Sequence, residues 1–235
     1  MKFTIDRDIA SRFPDLRIGI LVAEDITNIG TSLELEELKK KMGQQLRESH
    51  SLGSLELHPH ILTWRRVYTK LGLNPRRKKP TAENLLTQLL KGREIPTISK
   101  AVDSYLVTEA EFLLPVGGYD LNKLAGNMLL RTSKGGDPFL PIGSSKTEMT
   151  NPGEVVYSDD VRVLTRMWNY RDCDEAKITE QSQNIILMTE APDFAVSTES
   201  LIGLLEKLKD RLITFCGGRS RYLVAHASQR DNYVI

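Results

Sequence analysis

Cysteine is nearly absent from this chain. Only Cys173 and Cys216 occur in 235 residues, far apart and in unlike surroundings, which excludes a disulfide framework and a thiolate zinc set. Such usage fits a reducing cytoplasm. Histidine is almost as sparse: His50, His58, His60 and His226 show no ligand spacing beyond the two-residue gap of HPH, and two ligands do not make a metal site. His58 and His60 are expected to stand exposed at a helix start. No Ser-His-Asp order can be argued, and neither glycine cluster precedes the Lys-Ser or Lys-Thr of a phosphate loop. No metal and no cofactor is expected.

Surplus charge is missing too. Lys plus Arg total 32 against 31 for Asp plus Glu, so there is no global basic field to drive non-specific nucleic-acid binding. RNA contact must come from local patches. The first fourteen residues carry Asp6, Arg7, Asp8 and Arg12 and lack the continuous apolar centre of a signal peptide. No apolar run approaches membrane-spanning length, and no membrane partner is expected. What is present, 40% hydrophobic residues, suffices for one sizeable core, and residues 1–235 read as one elaborated domain.

Leu16 to Glu24 (LRIGILVAE) is a β-branched run that predicts a buried strand. From Thr31 to His50, Leu33, Leu35, Leu38, Met42 and Leu46 recur at helical spacing, with capping-type Ser32 and Glu36 nearby. Leu57 to Leu71 predicts a second helix stopped by Gly72. The linker Asn74 to Pro80 (NPRRKKP) holds four cations between two prolines, so an extended segment with its charges in water is expected. Thr81 then caps a third helix that ends at Gly92. Downstream of Asp120 come short β-rich runs separated by Gly, Pro and Asn: NMLLRT, PFLPIG, EVVYSDD, VRVLTRMW and QNIILMT. Ser197 to Phe215 returns to helical periodicity. Helices flank a β-rich middle, with no internal repeat.

From Pro80 to about Ala191 an ordered set of motifs, IPTISKAVD, LPVGGYD, LAGNMLLR, EVVYSD and KITEQSQN, resembles the B3/B4 domain, the editing module of the phenylalanyl-tRNA synthetase beta subunit, which also occurs as a separate protein. IPTISKAVD (95–103) resembles its proline-led turn into a helix bearing Val102 and Asp103. LPVGGYD (114–120) resembles a loop ending in an aromatic and an aspartate, and LAGNMLLR (124–131) its Gly-then-strand-to-Arg element. Gly135, Gly136 and Asp137 match a Gly-acid turn, and EVVYSD (154–159) and KITEQSQN (177–184) match the segments that follow. WNYRD (168–172) resembles the separate-protein branch, where the synthetase-attached domains carry a glycine-rich loop instead.

The resemblance implies an α+β fold: a B3/B4-like β-sandwich or mixed sheets flanked by helices, with core resemblance over 80–191. An N-terminal strand-helix extension over 1–53 has no counterpart, and 197–217 forms a C-terminal helix. It further implies trans-editing hydrolysis of mischarged aminoacyl-tRNA, with the aminoacylated 3′ end of tRNA as partner and an amino acid or aminoacyl adenosine as ligand. The oligomeric state is left open. Three positions depart from the synthetase pattern. Gly117 stands where a histidine is usual, and Leu106 where an asparagine is. Met188 aligns with the glutamate that reads a tyrosine hydroxyl, with Glu190 two residues on.

Ester hydrolysis needs an oriented water and donors for the developing oxyanion, and no nucleophilic side chain. Gly117 and Gly118 can bring backbone N–H groups close to a substrate; the alternative is a tight turn before Tyr119. Asn169, Tyr170, Arg171 and Asp172 are the catalytic candidates. Arg171 can hold a carboxylate or the terminal phosphate, and Asn169 or Tyr170 can orient water. The alternative is a local Arg171–Asp172 pair with Trp168 in the core. Asp120, Thr179, Asn184 and Glu190 complete the substrate-binding set, with turn and strand capping the alternative for Thr179 and Asn184. Lys70, Arg76, Arg77, Lys78 and Lys79, with Lys91 and Arg93 nearby, are the candidates for an RNA backbone; otherwise NPRRKKP is a solvated linker. A non-catalytic module that binds tRNA or an amino acid, and a small-molecule enzyme on the same scaffold, remain alternatives.

Overall fold

The computed structural model describes residues 1–229 and 233–235. Its elements in chain order are β1 (Lys2–Ile5), α1 (Arg7–Arg12), β2 (Arg17–Glu24), α2 (Leu33–Ser49), α3 (Leu52–Glu56), α4 (Pro59–Lys70), α5 (Thr81–Leu90) and α6 (Lys100–Phe112). There follow β3 (Val116–Asp120), β4 (Met128–Thr132), β5 (Pro138–Phe139), β6 (Glu148–Met149), β7 (Val155–Ser158), β8 (Val163–Arg166) and β9 (Arg171–Asp172). The chain closes with β10 (Ile185–Ala191), α7 (Thr198–Cys216), β11 (Arg219–His226) and β12 (Tyr233–Val234). The fold is α+β with mixed sheets flanked by helices.

Local chemistry fixes most helix ends. Ser32 Oγ accepts from the Leu35 N–H at the start of α2, and Ser51 and Ser54 form a reciprocal capping box on α3. Ser197 accepts from the Ser200 N–H at α7. Four sequence expectations need correction. The pattern from Leu57 to Leu71 spans parts of two helices, because Leu57 closes α3 and α4 starts at Pro59, whose missing N–H suits a first helical position. Thr81 is the first residue of α5, not its cap; Pro80 stands at the cap with no side-chain bond. The segment 74–80 is a turn, closed by Arg77 and Lys78 N–H groups donating to the Asn74 carbonyl. Finally, His58 and His60 are half-buried: the three rings of His50, His58 and His60 stack edge-on, the last two 4.8 Å apart. Burial, then the charge His60 would add, pushes His58 down to about 4.

Two main sheets organise the molecule. One is antiparallel in the order β11-β2-β10-β3; the other is mixed, in the order β12-β1-β4-β7-β8-β9, with β1 parallel to β4. A ribbon of β5 and β6 stands apart. Strand β10 is buried along its whole length, and its alternation sorts two cores. Ile186 and Met188 join Ile18, Ile20, Val22 and Tyr119 in a core shared with the six-stranded sheet and α4. Ile185, Leu187 and Ala191 join Leu21, Ala23 and the leucines of α7 in a second core beneath α6 and α7. A third, helical core packs α2, α5 and α6. Residues 1–53 lie inside this plan, since β1 pairs with β4 and β2 sits at the middle of the antiparallel sheet.

Among the described residues no helix is long and apolar enough to cross a membrane, and no group of three or more His, Cys, Asp or Glu side chains is placed to hold a metal ion. Cys173 and Cys216 are buried and free.

A buried ion pair ties α2 to the start of α6. Lys39 Nζ, 3% exposed, meets Asp103 Oδ2 at 2.9 Å, and Asp103 Oδ1 accepts the N–H groups of Ile98 and Ser99. Removing Asp103 leaves the buried Lys39 ammonium with only Glu36 (2.9 Å) and Thr97 (2.7 Å), and the N–H groups of Ile98 and Ser99 without this acceptor. Asp103→Ala is expected to lower the unfolding free energy by about 3–5 kcal/mol in urea titrations, whereas Glu36→Ala, at the half-exposed end of the same cluster, should cost about 1 kcal/mol or less.

Candidate functional site

The segment that follows β8 makes a sharp reversal. Met167 and Trp168 both adopt left-handed backbone, φ 49° and 70°, a conformation that non-glycine residues hold only when their surroundings enforce it. The enforcement is visible. Trp168 is fully buried, packed edge-on against Trp64 of α4 (5.4 Å) and Phe13 (4.9 Å), and its backbone N–H donates to the Val155 carbonyl. With Trp168 anchored inward, Asn169 to Asp172 turn back along β8. Tyr68 of α4 donates its hydroxyl to Asn169 Oδ1 at 2.8 Å.

This reversal, the edge strand β3, α6 and β10 line a cavity of about 120 Å³ between the two sheets. Gly117, Asn169, Tyr170, Arg171, Asp172 and Glu190 all line it. Six expected site residues therefore converge. They lie beside Tyr105 and Glu109 of α6, Tyr119 of β3, Tyr157 of β7, Thr165 of β8 and Trp168, none of which the sequence pattern marks as part of the site. Glu109 carries a legible signal: with Val102, Tyr105 and Leu106 it shares one helical face, and a carboxylate there needs an explanation.

Gly117 and Gly118 are not a loop. Both belong to β3, paired with Met188 and Leu187, and so face opposite sides. A Cβ at 117 would sit 3.6 Å from Asp172 Oδ2, in the cavity, so glycine there leaves room above the carboxylate. One at 118 would meet the Ile186 carbonyl oxygen at 2.1 Å, so that glycine permits strand pairing and has no part in the site. Three further expectations are corrected. Asp120 is buried and accepts from Ser182 Oγ (2.6 Å) and the Asn122 N–H. Asn184 bonds the Asp25 N–H and Asn122, and the Thr179 carbonyl accepts from Asn28. All three hold the turns at the other end of β3 and β10.

The electrostatics of the cavity are acidic. Thr165 donates to Asp172 Oδ1, which leaves Thr165 as acceptor for the Tyr119 hydroxyl, so the three form a relay. Burial pushes Asp172 up to about 6 against the opposing Thr165 bond. Burial likewise raises Glu190 to about 7, opposed by the Tyr157 hydroxyl donating at 2.8 Å and by the Asn169 amide. Glu109 is raised well above the carboxylate range, by burial first and then by the charges of Glu190 and Asp172. Its Oε2 takes a long 3.4 Å bond from the Val116 N–H, while Oε1 has no partner. Among the described residues, Trp168 Nε1 and Asn169 Nδ2 are buried and make no hydrogen bond of regular geometry, the Asn169 amide standing near Glu190 and the Trp168 indole near the Tyr157 hydroxyl. Among the described residues Arg171 is the only cation in the wall; it pairs with Glu148 (3.5 Å), not Asp172, and is half exposed.

A second basin of about 310 Å³ adjoins the first and shares Thr81, Tyr170 and Arg171 with it. Its other walls are Arg76, Arg77, Lys79 and Asn84. Of the expected RNA-contacting residues, Lys78 instead folds back to Met167 Sδ (3.3 Å) and over the Tyr170 ring. Lys79 partly pairs with Glu83. Lys70 lies elsewhere, donating to the Arg12 carbonyl against Phe13. Lys91 and Arg93 are beyond the end of α5 and do not line the basin. Thr179 lines a mostly apolar pocket with Ile98 and Ile142 that meets the cavity at Tyr105 and Asp172.

Gly117→Ala is expected to fold, with thermal stability near the parent's. Gly118→Ala should lose at least about 2 kcal/mol; equal melting temperatures would contradict the assigned faces. The pH dependence has a definite sign. Glu190 binds its proton more tightly folded than unfolded, so its contribution is fully present below about 4.5 and is lost as pH rises through about 7. Glu190→Gln keeps an acceptor for Tyr157 and removes the titration. The stability of this variant relative to the parent should therefore rise by about 3 kcal/mol between pH 4.5 and 7.5 in denaturant titrations, a difference in which the opposing histidine contribution cancels.

The model of the B3/4 domain family matches residues 63–210. Among solved structures, an N-terminal fragment of the phenylalanyl-tRNA synthetase beta-subunit from Pyrococcus horikoshii superposes with a TM-score of 0.43 at 11% identity, covering 93% of this chain and 50% of that one. The chain thus spans half the length of that fragment. No curated protein matches it.

Proposed function

The chain belongs to the B3/4 domain family, and from that premise we propose that it binds the aminoacylated 3′ end of tRNA and hydrolyses the ester of mischarged molecules in trans. The observation that carries the reading is the adjacency of an acidic cavity and a cationic basin with Thr81, Tyr170 and Arg171 between them. The cavity has room for several waters or an aminoacyl group. The adenosine and its phosphates belong on the basin side, against Arg76, Arg77 and Arg171.

In this arrangement Asp172 is the base. Its Oδ2 faces the space that Gly117 leaves, and a value of about 6 keeps it mostly ionised at neutral pH. A water held there gives its proton to Asp172 as its oxygen bonds to the ester carbonyl carbon. Trp168 Nε1 and Asn169 Nδ2 are the donors for the oxyanion. Collapse breaks the bond between acyl carbon and ribose oxygen, and Asp172 returns the proton to that oxygen. The products are the free amino acid and the ribose hydroxyl. Tyr119 and Thr165 hold Asp172 in position through their relay.

A panel of mischarged tRNAs tests this directly. Ester loss above the buffer rate is expected for at least one member, with kcat/KM rising through about pH 6 and levelling above it. Asp172→Asn should lower kcat by at least about a hundredfold, and Asn169→Ala by about tenfold to a hundredfold. Neutralising Arg76, Arg77 and Lys79 together should weaken tRNA binding and reduce the slope of log affinity against log salt by about 0.7 for each phosphate that is no longer neutralised. No ester loss from any member removes the hydrolase reading, and an unchanged salt slope removes the basin as a phosphate track.

A further inference from the structure

Three carboxyl side chains enter one small cavity from three elements: Glu109 from α6, Asp172 from β9 and Glu190 from β10. Asp172 is engaged by Thr165, and Glu190 accepts from Tyr157. Glu109 differs. It is 1% exposed, it lines the cavity, and its Oε1 has no partner among the described residues. A buried carboxyl oxygen without a partner is retained at a penalty unless something fills the place beside it.

Tyr170 is half-buried and the Arg171 side chain is 52% exposed, both on the shared wall with the basin; Glu109 and Glu190 are 1% and 3% exposed. An ester anchored through its ribose at that wall, with its carbonyl on Asn169 and Trp168, has its side chain to offer to Glu109 and Glu190. A hydrocarbon or aromatic end would desolvate both acids and leave Oε1 unmatched, whereas an ammonium offers three donors and the opposite charge.

We infer that the cavity selects an aminoacyl group whose side chain ends in an ammonium, with Glu109 and Glu190 as its two carboxylate partners, ionised when it binds. The inference rests on the placement of the ribose under Proposed function, and it names the substrate class of that site.

Isothermal titration of the full chain with amino-acid amides, which keep the carbonyl and carry no carboxylate, provides the test. Ornithinamide and lysinamide should each bind at least tenfold more tightly than their alkyl counterparts norvalinamide and norleucinamide, and more tightly than tyrosinamide. Glu109→Gln should reduce that preference below threefold with native circular dichroism. Should Glu109→Gln fail to fold, Glu190→Gln gives the same reading, because it removes the other anion and keeps the Tyr157 bond. Equal affinity within each pair, tighter binding of tyrosinamide, no binding of any amide, or a preference that survives the folded variants would each overturn the inference. Deacylation measured on the same preparation separates the two ideas. Ammonium preference without ester loss keeps the inference and removes the hydrolase. Ester loss confined to alkyl or aromatic aminoacyl-tRNAs does the reverse.

Discussion

The register of β10 is the constraint on which the rest of the molecule depends. Its seven residues are all buried, and their side chains alternate between two cores that never exchange members. A slip of one residue against β2 and β3 would turn Ile185 and Leu187 toward the six-stranded sheet and drive Glu190 into the leucines of α7. The penalty for burying a carboxyl there without a donor makes the native register strongly preferred. The same alternation aims Met188 and Glu190 at the cavity. Core packing and site geometry are consequences of one pairing.

Around that strand the protein holds groups in states that a relaxed fold would avoid. Met167 and Trp168 carry left-handed backbone, and three carboxyls with raised proton affinity share one space. Neither feature is tolerated for its own sake. The backbone is held by the packing of Trp168 between Phe13 and Trp64, and two of the carboxyls by hydroxyl donors from Tyr157 and Thr165. Strain and desolvation of this kind persist only where surrounding contacts over-determine them. A rigid scaffold below and an irregular, polar turn above is the division of labour found where ligands bind.

Much of the architecture is legible in the sequence because periodicity reports burial. The run at 16–24, the helical spacing of 31–50 and 197–215, and the β-rich middle all become elements within a few residues of the expected bounds. Errors arise where local chemistry decides without periodicity. The prolines at 75 and 80 suggest an extended linker, while the Asn74 carbonyl closes a turn. Adjacent glycines suggest a loop, while at 118 the absence of a Cβ serves close pairing to β10. In the site, the contiguous WNYRD stretch is found because its residues adjoin in sequence. Tyr119, Tyr157 and Thr165 are not, because what unites them is a sheet-to-sheet contact across tens of residues. Asp120, Thr179 and Asn184 look like ligand contacts for the same reason that they make good turn caps: short polar side chains serve either end.

The balance of 32 basic and 31 acidic residues conceals a local separation of charge. The acids of the cavity lie in low dielectric, where their field decays little; the cations of the basin lie at the surface, where salt screens them. Tyr170 and Arg171 stand at the junction of the two. A ligand carrying a cation at one end and a phosphate at the other meets opposite potentials on the two sides of that junction, so one orientation is favoured and its reverse is opposed at both ends. Selectivity of this kind needs neither a large net charge nor an extensive interface. It needs the two patches to be held at fixed separation, which Trp168 on the cavity side and the Asn74 turn on the basin side accomplish.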